Sequence, residues 1–124
     1  MILLLLVSLA GGLGAASRFL LDGAITRRST LSFPVATLTI NVTGSFLLGA
    51  LTEASAATDL SVLPTVAGVG FLGGFTTFST ASVELVGLVR SGRWVAAVVL
   101  GVSMLLLSVG AALLGILIAR GLTG

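Results

Sequence analysis

Residues with the types and spacing for chemistry concentrate in Gly68-Val69-Gly70-Phe71-Leu72-Gly73-Gly74-Phe75-Thr76-Thr77-Phe78-Ser79-Thr80, where four glycines and four hydroxyls interrupt an otherwise apolar run from Val62 to Val89. Glycine works against a regular helix. A break at Gly73–Thr76 would free carbonyl oxygens at bilayer depth, which is tolerated where they are buried in protein or face an ion. Such oxygens coordinate a hard cation such as Na⁺ without side-chain charge, and two copies of the break would supply a closed set of ligands. If the helix resumes, Thr77, Thr80 and Glu84 fall at i, i+3 and i+7 and share one face. Asn41, the one side-chain amide in the chain, adds two N–H donors, and Ser103 and Ser108 add hydroxyls. Several donors with one acid describe a path for a small anion that accepts hydrogen bonds. Phe75 and Phe78 would strengthen it if presented edge-on, because the ring rim is positive. Blander readings stand beside these: a membrane serine commonly bonds its own helix, the rings pack in core or lipid, and Gly70-x-x-x-Gly74 allows close helix approach.

The elements that must position these residues are read from composition. Of 124 residues, 56% are hydrophobic and 8% charged, with mean hydropathy +1.26. A soluble domain needs far more polar surface. A spanning helix takes roughly 20 apolar residues, and the charges divide the chain into four such stretches: Ile2–Leu21, Val35–Thr52, Val62–Val89 and Trp94–Ala119. The expectation is an all-α membrane protein, one membrane domain over residues 1–124, with four transmembrane helices and the third interrupted near its middle. Nothing basic precedes Arg18, so the first stretch reads as a retained helix rather than a signal peptide. With alternating helices, Arg27, Arg28, Arg90 and Arg93 share one side, with Arg18 nearby, against Arg120 alone on the other. The positive-inside tendency then puts both termini outside, in a multi-pass arrangement compatible with a bacterial inner membrane.

The chain contains no Cys, His, Lys or Tyr. Thiol chemistry, imidazole ligands, Schiff bases and most general bases are thereby removed, and the expectation is no enzyme. Of the acids Asp22, Glu53, Asp59 and Glu84, only Glu84 falls well inside an apolar run, so paired intramembrane carboxylates are unsupported. The six arginines sit mostly at helix ends and read as topology signals rather than a nucleic-acid surface. Gly68-x-Gly70-x-x-Gly73 lacks the strand and helix that a dinucleotide fingerprint needs. Asn41-Val42-Thr43 spells a glycosylation sequon at a depth no transferase reaches.

Three blocks carry a resemblance over nearly the whole chain. Gly11-Gly12-Leu13-Gly14-Ala15-Ala16-Ser17-Arg18-Phe19, then Phe33-Pro34 with Thr37-Leu38, Asn41 and Gly44, then Gly73-Gly74-Phe75-Thr76-Thr77-Phe78-Ser79-Thr80 resemble the Fluc/CrcB family of fluoride channels. The resemblance implies four-helix subunits paired as an antiparallel dimer, passive fluoride export from the cytoplasm through two pores, and a structural Na⁺ held by main-chain oxygens of Gly73 and Thr76. It implies a fluoride path in which Asn41 donates, Phe78 presents its edge, and Ser79, Thr80 and Ser108 continue a polar track. Glu84 matches the acid further along the third helix, and Arg18 would raise the anion concentration in a vestibule. Ala81 stands where a second phenylalanine is common, Met104 where an aromatic or histidine often stands, and Ala36 replaces a usual glycine. The missing ring and the arginine asymmetry together point to a paralogue as the antiparallel partner, rather than an identical chain. Two rivals stay open. A small four-helix multidrug or cation exporter needs an acid in the first helix, and Ile2–Leu21 has none; a non-conducting accessory subunit is kept alive by Ala81 and Met104.

Overall fold

In lipid every N–H and C=O must find its partner within the protein, so long apolar runs fold as helices. A computed structural model of the chain describes residues 1–30, 33–57 and 62–123, and all regular structure among them is helical. The first span is α1, Ile2–Arg28, and the second is α2, Val35–Ala56. The third is divided: α3, wound in π form over Pro64–Leu72, closes with an α-helical turn Gly73–Phe75, and α4 follows over Ser79–Arg90. The last span is α5, Trp94–Thr123. All four spans are long and apolar enough to cross a bilayer, and the chain is a multi-pass membrane protein with an interrupted third span. Asp59 lies outside the described residues.

Helices outrun the apolar stretches that announce them, α1 reaching Arg28 rather than Leu21 and α5 reaching Thr123. The apolar run marks only what the hydrocarbon layer demands; a helix of 27 residues rises about 40 Å and extends into the headgroups. Arg27 and Arg28 occupy the last turn of α1, where the helix dipole favours positive charge.

Two helix pairs organise the packing, α1 against α3 and α2 against α5. Backbone contact explains both. A Cβ on Gly74 would collide with the Gly11 carbonyl, and one on Gly14 with the Phe71 carbonyl. Likewise a Cβ on Gly49 would meet Ala112, and one on Gly115 the Phe46 carbonyl. Small residues replace hydrophobic driving force here, since lipid tails are as apolar as leucine. Ile40, Leu72 and Phe75 form one buried cluster, with Phe75 stacked on Phe71 at 6.1 Å between centroids. Leu88, Ala97 and Leu100 form another nearer the α4–α5 turn. At the opposite end, the Arg120 guanidinium forks onto Glu53, Nε to Oε1 at 3.0 Å and Nη2 to Oε2 at 3.1 Å, joining α5 to α2. The outward faces stay apolar: Phe19, Val69, Phe78 and Val83 are each 70% exposed or more.

Candidate functional site

The break falls at Thr76–Phe78, between the turn that closes α3 and the start of α4. Thr76 is extended, with φ −81° and ψ 157°, and its N–H and Oγ1 both donate to the Leu72 carbonyl at 2.9 Å. Beyond it the helical ladder is replaced by side chains. The Thr77 N–H donates to Asn41 Oδ1 at 2.9 Å, and Asn41 Nδ2 donates back to the Thr77 carbonyl at 2.8 Å. An N–H can only donate, so this pair also fixes which end of the amide is oxygen. Asn41, buried on α2, therefore grips one peptide of the third span from both sides. Thr77 Oγ1 in turn accepts the Thr80 N–H at 3.2 Å and donates to Thr80 Oγ1 at 3.3 Å, starting α4.

In a continuous helix the N–H groups of Thr77 and Thr80 would point to the carbonyls of Gly73 and Thr76. Both are spent elsewhere, on Asn41 and on the Thr77 hydroxyl. Arg18 of α1 reaches the adjacent carbonyl, its Nε donating to Gly74 at 3.4 Å. A guanidinium suits the negative end of a helix dipole. The break thus holds the carbonyl end of α3 beside the N–H end of α4, with opposite partial charges a few residues apart.

A cleft of about 720 Å³ opens against this break, lined by Asn41, Thr76, Thr77, Phe78, Met104 and Ser108, among others. Ser108 Oγ is buried and has no hydrogen-bond partner among the described residues. Phe78 is 88% exposed at its rim, whereas Phe75, the other ring the sequence left open, is core. A second cleft of about 410 Å³ lies at the opposite end of α4, lined by Asp22, Thr26, Phe33 and Glu84, among others.

Comparison with known proteins agrees with the motifs. The family model described as CrcB-like protein, Camphor Resistance (CrcB), matches residues 5–116. The chain belongs to the CrcB-like family. Its relatives include a protein of Leifsonia xyli subsp. xyli named fluoride-specific ion channel FluC 1, 47% identical over 116 residues, covering 93% of this chain and 85% of that protein. A FluC of Ruminiclostridium cellulolyticum is 40% identical over 122 residues, 97% of this chain and 91% of that protein. A FluC 2 of Mycobacterium bovis is 42% identical over 114 residues, 92% and 88% respectively.

Within this CrcB-like chain the expected path residues fall into four places. Asn41, Phe78 and Ser108 line the larger cleft. Ser79 and Thr80 stand at the start of α4, both hydrogen-bonded to Thr77 Oγ1. Glu84 lines the smaller cleft, and Arg18 is turned to Gly74. Gly73 and Thr76 sit together at the carbonyl end of α3. Sequence reasoning missed the partner of Glu84: Thr37, 2% exposed on α2, donates to Glu84 Oε1 at 2.6 Å, while Glu84 Oε2 is buried without a partner among the described residues. It also missed that Asn41 Nδ2 donates to Met104 Sδ at 3.4 Å. No spacing announces either pair, because each joins different helices.

Thr37→Val keeps the shape and removes the donor, leaving both Glu84 oxygens without a partner among the described residues. Thermal unfolding in detergent is expected to show a loss of about 1–3 kcal/mol, with Thr37→Ser close to wild type.

Proposed function

We propose that the chain is one subunit of a fluoride-selective channel that lowers cytoplasmic fluoride by passive export across the membrane. The relatives named as fluoride-specific channels support the ion. The pinned break supports the mechanism, and it is the observation that carries the reading: Asn41 grips Thr77 from α2, beside a cleft lined by hydroxyls and the exposed Phe78 ring. An anion there would meet amide and hydroxyl hydrogens, the ring edge, and the N–H end of α4. Fluoride accepts such hydrogen bonds more strongly than a larger halide, and a narrow dehydrated path excludes the larger ion by size. Ser79, Thr80 and Ser108 would continue the track, Glu84 would stand at one mouth, and Arg18 would add positive potential near the break. No catalytic step is involved.

The residues fit a structural Na⁺. The carbonyls of Gly73 and Thr76 have lost the N–H groups a continuous helix would bring them, and Gly73 is exposed at the surface of the subunit. A second subunit in antiparallel orientation would present the same pair and complete an all-oxygen set. Bound there, the cation would offset the negative end of α3 and hold the break open.

The partner we infer is a paralogue rather than an identical chain. Arg120 is the lone arginine at its end, against Arg27, Arg28, Arg90 and Arg93 at the other. That bias orients the chain one way, with both termini outside a bacterial inner membrane. Ala81, 6% exposed, stands where a second pore ring would come from, which the paralogue would supply. Expression in a fluoride-sensitive strain, with and without the paralogue, tests this: resistance is expected only with both chains. Resistance or robust flux from this chain alone would refute the pairing, and sensitivity under both conditions would favour an accessory role.

A further inference from the structure

Asn41 has two amide hydrogens and one carbonyl oxygen. The oxygen takes the Thr77 N–H, and one hydrogen goes to the Thr77 carbonyl at 2.8 Å. Giving up either contact would release the break. The only hydrogen left to offer an ion is the one now donated to Met104 Sδ at 3.4 Å. A thioether is a weak acceptor, yet in a low-dielectric setting even a weak acceptor spares the donor from standing bare. An ionised acceptor makes hydrogen bonds roughly twice as strong as a neutral one. Met104 also lines the larger cleft, and its unbranched side chain has three rotatable bonds with which to swing aside.

We propose that Met104 is a positioning residue for the anion donor: its sulfur parks the second N–H of Asn41 on an acceptor weak enough for fluoride to displace. This rests on Asn41 being the donor. Fluoride then meets a donor that is already aimed and only lightly occupied. A weaker acceptor, such as a larger halide, gains less by displacing the sulfur.

Two arms test this on the reconstituted channel with its partner subunit. Met104→Leu removes the acceptor, and the fluoride concentration giving half-maximal flux is expected to fall roughly three- to tenfold. Hydrogen peroxide transfers one oxygen atom to the Met104 sulfur, giving the sulfoxide and water. The new oxygen is a strong acceptor that keeps the Asn41 hydrogen. Flux is expected to drop about tenfold, to recover with methionine sulfoxide reductase, and to be unaffected by peroxide in Met104→Leu. Emission from Trp94, the single tryptophan, should stay unchanged throughout. Unaltered half-saturation in Met104→Leu, or undiminished flux with the sulfoxide verified at Met104 by mass spectrometry, overturns the proposal. Asn41→Asp separates the two levels: if it retains flux, the donor reading itself fails; if it loses flux while both Met104 arms are silent, only the role of Met104 falls.

Discussion

Asn41→Asp is expected to abolish fluoride flux, by about a hundredfold or more, from the loss of a hydrogen bond to a charged partner and the repulsion that replaces it. Aspartate is nearly the same size, so packing against α3 and α5 is unchanged. One carboxylate oxygen still accepts the Thr77 N–H. The other faces the Thr77 carbonyl, where Asn41 Nδ2 now donates at 2.8 Å, and two acceptors at that distance repel. On the proposed path a negative charge would also stand where the anion passes. Asn41→Asp therefore loosens the break and repels the ion, and flux through a channel with an intact partner is the readout. Unchanged flux would remove Asn41 from the path.

Gly14→Ala is expected to be the most damaging single methyl group in α1. The added Cβ would collide with the Phe71 carbonyl and approach the Phe71 carbonyl carbon at 2.9 Å and the Phe75 nitrogen at 3.0 Å. These are backbone atoms and cannot rotate away, so α1 must back off from the turn that closes α3. Overpacking of this kind costs about 1–3 kcal/mol. Moving α1 also withdraws Arg18 from the Gly74 carbonyl. Gly12→Ala is the matched control, since a Cβ there meets nothing within 4 Å, and alanine favours helix by about 1 kcal/mol. Thermal unfolding in detergent should show Gly14→Ala destabilised and Gly12→Ala equal to or above wild type. Equal loss in both would mean that helix contact at Gly14 is not what holds α1 to α3.

The spans and the break were legible in the sequence because both depend on local composition. Long apolar runs demand helix in lipid, and the glycine- and hydroxyl-rich stretch signals an interruption; the break expected at Gly73–Thr76 falls later, because Gly73–Phe75 still form an α-helical turn and the ladder opens only at Thr76–Phe78. The ends of α1 and α5 were less legible, since the helix runs on past the apolar stretch where polar residues are tolerated. The geometry that holds the break was not legible at all. Asn41 and Thr77 lie 36 residues apart, Thr37 and Glu84 lie 47 apart, and Asn41 and Met104 lie 63 apart. Each pairing is set by how α2 lies against α4 and α5, which in turn follows from backbone contacts at glycines that also occur where nothing touches. The Phe75 ring shows the same limit: its type allows either an edge-on contact or core packing, and only the stack on Phe71 decides for the core. The resemblance to the Fluc/CrcB family supplies the expected path residues by type, while the structure shows that Arg18 is already engaged by a main-chain carbonyl.

Fluoride efflux from liposomes holding the chain and its proposed antiparallel partner, followed with an ion-selective electrode at equal pH on both sides, tests the central claim most directly. The expected result is rapid fluoride release down its gradient, with chloride retained. Release that requires a proton gradient, or none from vesicles shown to contain the folded pair, would contradict it.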